Sequence, residues 1–169
     1  MRLVEPTADW KEEHIAYIEE WPDEEKVVPW SLDLRQYESF EEFMEKFPAG
    51  KTGGEGWVRN ASYYLVNEEN RIVAMINLRF GLNDFLRNVG GNVGYGVRPS
   101  ERKKGYGSKI LRESLKICKE EGLDHVLITC DKDNLGSAGV ILNNGGVEDS
   151  PFVEESGNVK RRFWIDTKN

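Results

Sequence analysis

Arg102, Lys103 and Lys104 crowd three cations directly before Gly105-Tyr106-Gly107-Ser108. Cations beside glycines are suited to anion binding. Backbone N–H groups without flanking side chains can close on a phosphate at the start of a helix, where the helix dipole favours negative charge. The chain as a whole carries a formal net charge of -7, so these cations are gathered against the overall balance.

Spacing separates the phosphate-binding patterns that such a loop could represent. A Walker loop ends in Gly-Lys-Ser/Thr, whereas Gly107 is followed by Ser108 and only then by Lys109. A dinucleotide fingerprint needs a third glycine in register. Counting from Gly94 or Gly105, that place holds Pro99 or Ile110. What remains is Arg102-x-x-Gly105-x-Gly107, preceded by Val97-x-Pro99. Taken alone, the loop has a plain alternative reading as a solvated basic turn that serves solubility.

The flanking elements give the loop a setting. Asn92 to Val97 reads as a strand closed by Pro99. After the glycines, Ile110, Leu111, Leu115 and Cys118 share one helical face, Lys109, Arg112, Lys116 and Lys119 share another, and Gly122 supplies a stop. His125 to Cys130 reads as a buried strand. This strand-helix-strand order predicts a parallel pair with a right-handed crossover and a ligand at the carboxyl ends of the strands.

At these residues the sequence resembles the GNAT superfamily of acyl-coenzyme A dependent N-acetyltransferases. The match continues into Asp133-Asn134-Leu-Gly-Ser137-Ala-Gly-Val-Ile-Leu-Asn-Asn-Gly145-Gly146, similar to the family's later Asn-x-x-Ser/Ala helix. The resemblance implies an α/β fold: a mixed, mostly antiparallel central sheet with a splayed parallel strand pair and flanking helices, as one domain over residues 1–169. It implies acetyl-CoA as cosubstrate, with no metal, and an acetyl group moved to a primary amine by direct attack. The coenzyme would lie against Tyr95, Gly96, Val97, Arg102, Lys103, Lys104, Gly105, Tyr106, Gly107 and Ser108, with Asn134 and Ser137 as further contacts. Gly94 and Gly96 permit close approach of the pantetheine arm, and an N–H near Gly96 or Val97 would polarise the thioester carbonyl.

One departure from the family bears on the chemistry. Where many members carry a tyrosine that protonates the departing thiolate, the aligned residue is Ile141, which has no proton to give. Two solutions stay open: Tyr95 takes the role from the coenzyme strand, or no acid is used because a thiolate is a tolerable leaving group. A non-catalytic acyl-coenzyme A binding or sensing module is the rival function, and a nucleotide-binding protein of unrelated fold is a weaker one.

Composition frames these readings. With 169 residues, 38% hydrophobic and 31% charged, the chain suits a soluble domain with a core of its own. The acidic balance argues against nucleic acid and anionic membranes and favours cationic partners, here a small-molecule or peptide amine. Cys118 and Cys130 lack metal-site or redox spacing and read as buried free thiols. With no signal peptide or spanning segment in evidence, the expected location is the cytoplasm. The family resemblance leaves room for a homodimer.

Along the rest of the chain, Arg2 to Pro6 reads as a short strand. A first helix carries Trp10, His14, Tyr17, Ile18 and Trp21, with His14 as a packing or surface residue. Ser39 with Glu42 has the form of a capping box. Trp30, Tyr37 and Trp57 are candidates for an acceptor pocket, with core filling the favoured reading. Trp57 to Val66 and Arg71 to Phe80 read as a hairpin about Asn67–Asn70, followed by a polar bend from Leu82 to Gly90 where Arg79, Asn83 and Asp84 lie close by. Val147 to Ile165 reads as a closing hairpin, with Lys160, Arg161 and Arg162 at an exposed strand start.

Overall fold

The computed structural model describes residues 1–168. Its strands form two antiparallel sheets. The first has the order β1 (Arg2–Val4), β2 (Asn60–Val66), β3 (Ile72–Arg79), β4 (Val93–Val97), and the second the order β5 (His125–Asp131), β7 (Val159–Asp166), β6 (Val147–Val153). The helices are α1 (Lys11–Glu19), α2 (Phe40–Lys46), α3 (Tyr106–Glu120) and α4 (Leu135–Asn143). Among the described residues, no helix is long and apolar enough to cross a membrane.

The strand-helix-strand unit does not yield a hydrogen-bonded parallel ladder. β5 pairs with β7 instead, and β4 and β5 are stitched at their starts, where the Asn92 N–H donates to the Leu127 carbonyl at 2.7 Å and Asn92 Oδ1 accepts from the Leu127 N–H at 2.8 Å. Gly91, with φ of 68°, makes this possible: an added Cβ there would stand 2.7 Å from the Leu127 carbonyl oxygen. Beyond that contact the two strands splay, and no ladder joins them.

Each face of the first sheet carries its own core. Leu65, Ile76 and Leu78 pack with Ile110 and Leu111 of α3 and Ile141 of α4, while Tyr64 and Met75 pack on the other face with Tyr17, Ile18 and Phe43 of α1 and α2. The alternation along β3 is what a strand covered on both sides requires. α3 ends in the predicted glycine stop, with Gly122 at φ +88° and the Leu123 N–H donating back to the Cys118 carbonyl. Cys118 and Cys130 are buried free thiols.

The capping box forms, with the Glu42 N–H donating to Ser39 Oγ at 3.1 Å. His14 lies inside the core. Nε2 meets the Leu32 carbonyl at 2.8 Å, which can only accept, so Nδ1 accepts from the Tyr64 hydroxyl at 2.7 Å and the ring is neutral. Two tryptophans depart from the core-filling expectation: Trp30 is 70% exposed and Trp57 is 54% exposed, while Tyr37 does pack, against Phe43. The segment from Leu82 to Gly90 is not a simple bend. Asn83 Oδ1 caps a helical turn at the Leu86 N–H, and the Gly91 N–H closes it on the Leu86 carbonyl. Nor are the cations of the last hairpin free at an exposed strand start: Lys160, Arg161 and Arg162 pair with Asp131, Glu148 and Asp149 on the neighbouring strands.

Candidate active site

Beside the unpaired edge of β4 lies a cleft of about 710 Å³. Its floor is the free edge of β4. The Arg98 N–H donates to the Val73 carbonyl, which sets the phase of the β3–β4 ladder, with Gly94 opposite Asn77 and Gly96 opposite Met75. Antiparallel alternation then turns the N–H and C=O of Tyr95 and Val97 toward the open side. Those two peptide units are available to an extended ligand.

One wall is the basic loop and the start of α3. Gly105 adopts φ +85° as the N-cap and no side chain caps the helix, so the first-turn N–H groups are left for a ligand. Lys103 also sits at φ 65°, a left-handed conformation that costs a non-glycine residue about 1 kcal/mol or more. Gly107 packs tightly; a Cβ there would meet the Tyr95 ring and Val140 at 3.4 Å. The loop is anchored from behind by α1. Arg98, only 3% exposed, pairs with Glu13 at 2.5 Å and Glu20 at 2.8 Å, and Glu20 also accepts from the Ser100 N–H and hydroxyl. Burial alone would raise the Glu20 carboxyl, but hydrogen bonds from Ser100 and Arg98 outweigh it and hold the group below its usual range. These bonds fix the approach to the loop, Arg98 to Ser100, against α1.

The opposite wall is α4. Asn134 caps it, its Oδ1 accepting from the Ser137 N–H at 3.1 Å, and both residues line the cleft. Tyr95 points to this side, its hydroxyl 2.9 Å from Ser137 Oγ. Burial pushes the Tyr95 phenol up, partly opposed by the Ser137 hydrogen bond. Ile141 is fully buried beneath Gly146 and belongs to the core. Its neighbours on the helix, Val140 and Asn143, face the cleft instead.

The roof comes from the connection after α1. Trp21, Glu25, Lys26 and Val28 line the cleft; Trp21 closes the first helical pattern of the sequence, but the other three lie in a charged, aperiodic segment where nothing marks them. Glu25 holds Arg102 at 3.0 Å, and the Arg102 guanidinium lies 4.9 Å above the Trp21 ring. The roof touches the floor at Gly96. An added Cβ there would stand 2.2 Å from the Val28 carbonyl oxygen, while the Tyr17 hydroxyl donates to the Gly96 carbonyl at 3.1 Å.

Of the residues singled out from sequence, Tyr95, Gly96, Val97, Arg102, Lys103, Gly105, Tyr106, Gly107, Ser108, Asn134 and Ser137 line this one cleft. Lys104 does not: its ammonium turns away to Glu101 at 2.9 Å. Near the helical turn, Asp84 is exposed and Asn83 is spent on its cap, while Arg79 is half-buried against β4.

The fold and the cleft can be set beside known proteins. A chimera of spermidine N-acetyltransferase from Vibrio cholerae and hSSAT superposes with a TM-score of 0.67 at 15% identity, over 99% of this chain and 97% of that one. A putative ribosomal-protein-serine acetyltransferase from Vibrio cholerae gives a TM-score of 0.62 at 19% identity, over 97% and 92%. A putative phosphinothricin N-acetyltransferase gives 0.62 at 17% identity, over 99% of each chain. At such identities the likeness is one of fold. No curated protein sequence matches the chain. The model of the Acetyltransferase (GNAT) family matches residues 5–145, and the chain, with its splayed strands and its glycine-started helix, belongs to that family of acetyltransferases.

Proposed function

We propose that the protein transfers an acetyl group from acetyl-CoA to a primary amine by direct attack, within the cleft between β4 and α4. The observation that carries this is the meeting of the free β4 edge at Tyr95 and Val97 with the uncapped start of α3 in one cavity. The residues present fit the coenzyme. Bare N–H groups at Tyr106, Gly107 and Ser108, with Arg102 and Lys103 beside them, suit a diphosphate, and the open peptide units of β4 suit the amides of an extended arm. Acetyl-CoA, when bound, supplies an acyl group activated as a thioester.

The protein's residues supply placement and proton handling. The Val97 N–H, on the free edge, is the donor aimed at the acyl oxygen, whose negative charge grows as the amine adds. Arg102 exchanges Glu25 for the diphosphate. Its exposed ion pair is worth about 0–1 kcal/mol, whereas charge-assisted bonds to phosphate are worth about 1.5–3 kcal/mol each. Tyr95 gives its phenolic proton to the departing sulfur as the C–S bond breaks; the proton lost by the amine nitrogen passes to solvent, which returns one to Tyr95, with Ser137 as the relay. Burial keeps that proton in place at neutral pH, which a donor requires.

Calorimetric titration with acetyl-CoA, followed by thiol release across a panel of amines, tests this. Binding together with thiol release on at least one amine supports it. Binding with no release on any amine replaces it with the acyl-coenzyme A binding module, a role for which the burial of Ile141 would then be the structural reason.

A further inference from the structure

Asn144 is the C-cap of α4, and its half-buried side chain sets one nitrogen among three acceptors. Nδ2 stands 2.9 Å from the Val140 carbonyl, 3.3 Å from the Ser108 carbonyl and 3.1 Å from Ser108 Oγ. A carbonyl can only accept, so the two carbonyls fix which end of the amide is nitrogen. Its two hydrogens therefore serve the last turn of α4 and, across the helix pair, the first turn of α3. That first turn is where the cleft offers bare N–H groups, and Ser108 lines the cleft.

The bond to Ser108 does more than join two helices. A hydroxyl has one hydrogen and two lone pairs, and an N–H that arrives on a lone pair turns the hydrogen elsewhere. Serines inside helices commonly fold that hydrogen back onto a carbonyl one turn earlier. Ser108 does not: among the described residues its hydroxyl accepts from Asn144 and donates to no protein group. The hydrogen is left for the cleft, beside the N–H groups of Tyr106, Gly107 and Ser108 itself.

We propose that Asn144 is a positioning residue of the coenzyme site, one that keeps the Ser108 hydroxyl facing the diphosphate as a donor, an inference that rests on the acetyl-CoA reading above. It acts through Ser108 alone, since its neighbour Asn143 lines the cleft and Asn144 does not. An amide suits this place. A carboxylate there would set oxygen against two carbonyls and draw the Ser108 hydrogen to itself, whereas an alkyl side chain would fill the space and donate nothing. A donor hydroxyl gives the phosphate oxygens a charge-assisted bond in addition to those from the peptide N–H groups.

The test is a double-mutant cycle on the full chain, with Asn144→Ala and Asn144→Leu each made beside Ser108 and beside Ser108→Ala, and calorimetry with coenzyme A as the readout. Ser108→Ala is expected to weaken binding by about 10-fold, as loss of a hydrogen bond to a charged group does. Either change at Asn144 should weaken binding by about fivefold where Ser108 is present, and by less than about 1.5-fold where it is absent. With an amine that turns over, KM for acetyl-CoA should rise by the same factor of about five while kcat stays within about twofold. An equal loss in both Ser108 backgrounds makes Asn144 a structural cap and overturns the proposal, as does unchanged affinity in both Asn144 variants. Asn144→Leu, close to asparagine in size, carries the cycle where Asn144→Ala does not fold, and failure of both to fold again makes the residue structural. Absence of coenzyme A binding by the unaltered protein defeats the acetyl-CoA reading together with this one; binding with equal losses defeats this one alone.

Discussion

The Tyr95 hydroxyl stands 2.9 Å from the Ser137 hydroxyl, joining the floor of the cleft to the helix on its far wall. The position that the family resemblance aligns with a tyrosine holds the core residue Ile141, and under the transferase reading proposed above this pair takes the role of proton source. Tyr95→Phe is expected to lower kcat by about 10²-fold, as removal of a general acid does, while acetyl-CoA affinity changes little. Because burial raises the phenol, any alkaline decline from this group should come at higher pH than for an exposed tyrosine. A loss in kcat smaller than about twofold would remove Tyr95 from the chemistry.

Arg102 and Glu25 make the second prediction. Both are about two-fifths exposed, so Arg102→Ala should leave the melting temperature nearly unchanged while weakening acetyl-CoA binding by about 10- to 100-fold. Glu25→Gln should act in the opposite direction, tightening binding by up to about fivefold by freeing the guanidinium. Calorimetry reads both. Unchanged affinity in Arg102→Ala would place the diphosphate elsewhere.

Gly96 allows no side chain. In Gly96→Ala the new methyl meets the Val28 backbone oxygen at 2.2 Å, a group that cannot swing aside as a side-chain tip would. The roof must lift or β4 must shift, at a cost of about 1–3 kcal/mol. Thermal unfolding should show the loss, and turnover should fall with it because the roof no longer sits on the strand. Gly105→Ala is the contrasting case: space is open around it, but φ of +85° disfavours a side chain, so about 1 kcal/mol is expected with no clash.

His14 sets a pH dependence of stability. Burial, only partly opposed by the Leu32 carbonyl and Asp33, lowers its pKa from 6.5 to about 4. The unfolded chain therefore binds a proton below pH 6.5 that the folded chain refuses until about pH 4. Stability contributed by the neutral ring is complete above the upper value and is lost as pH falls through this window, by about 3 kcal/mol in all. Urea midpoints between pH 7 and 4 should fall in the unaltered protein and fall less steeply in His14→Gln.

Much of this was legible from residue types. The loop Arg102–Ser108, the period of α3 and the hairpin about Asn67 each rest on local chemistry, and local chemistry survives folding. What was not legible depends on non-local geometry. Asn92 looks like an ordinary strand residue, yet it joins two sheets, because its side chain happens to meet Leu127 across the fold. Past Trp21 the roof, through Glu25, Lys26 and Val28, has no period to detect, and its closeness to Gly96 is a tertiary fact. A rule about aromatics that holds on average sends Trp30 and Trp57 inward, and both face outward here. Lys104 sits within the basic cluster, but a nearby glutamate decides where its charge goes.

Asn92 and Leu127 fasten the two sheets at a single end, as a clothes-peg is joined at its spring. Each sheet completes its own ladder, so widening the jaws breaks no strand pairing on either side. What opposes such widening is the core that the two sheets share beneath α3, where Ile76 and Leu78 meet Ile128 and Phe163.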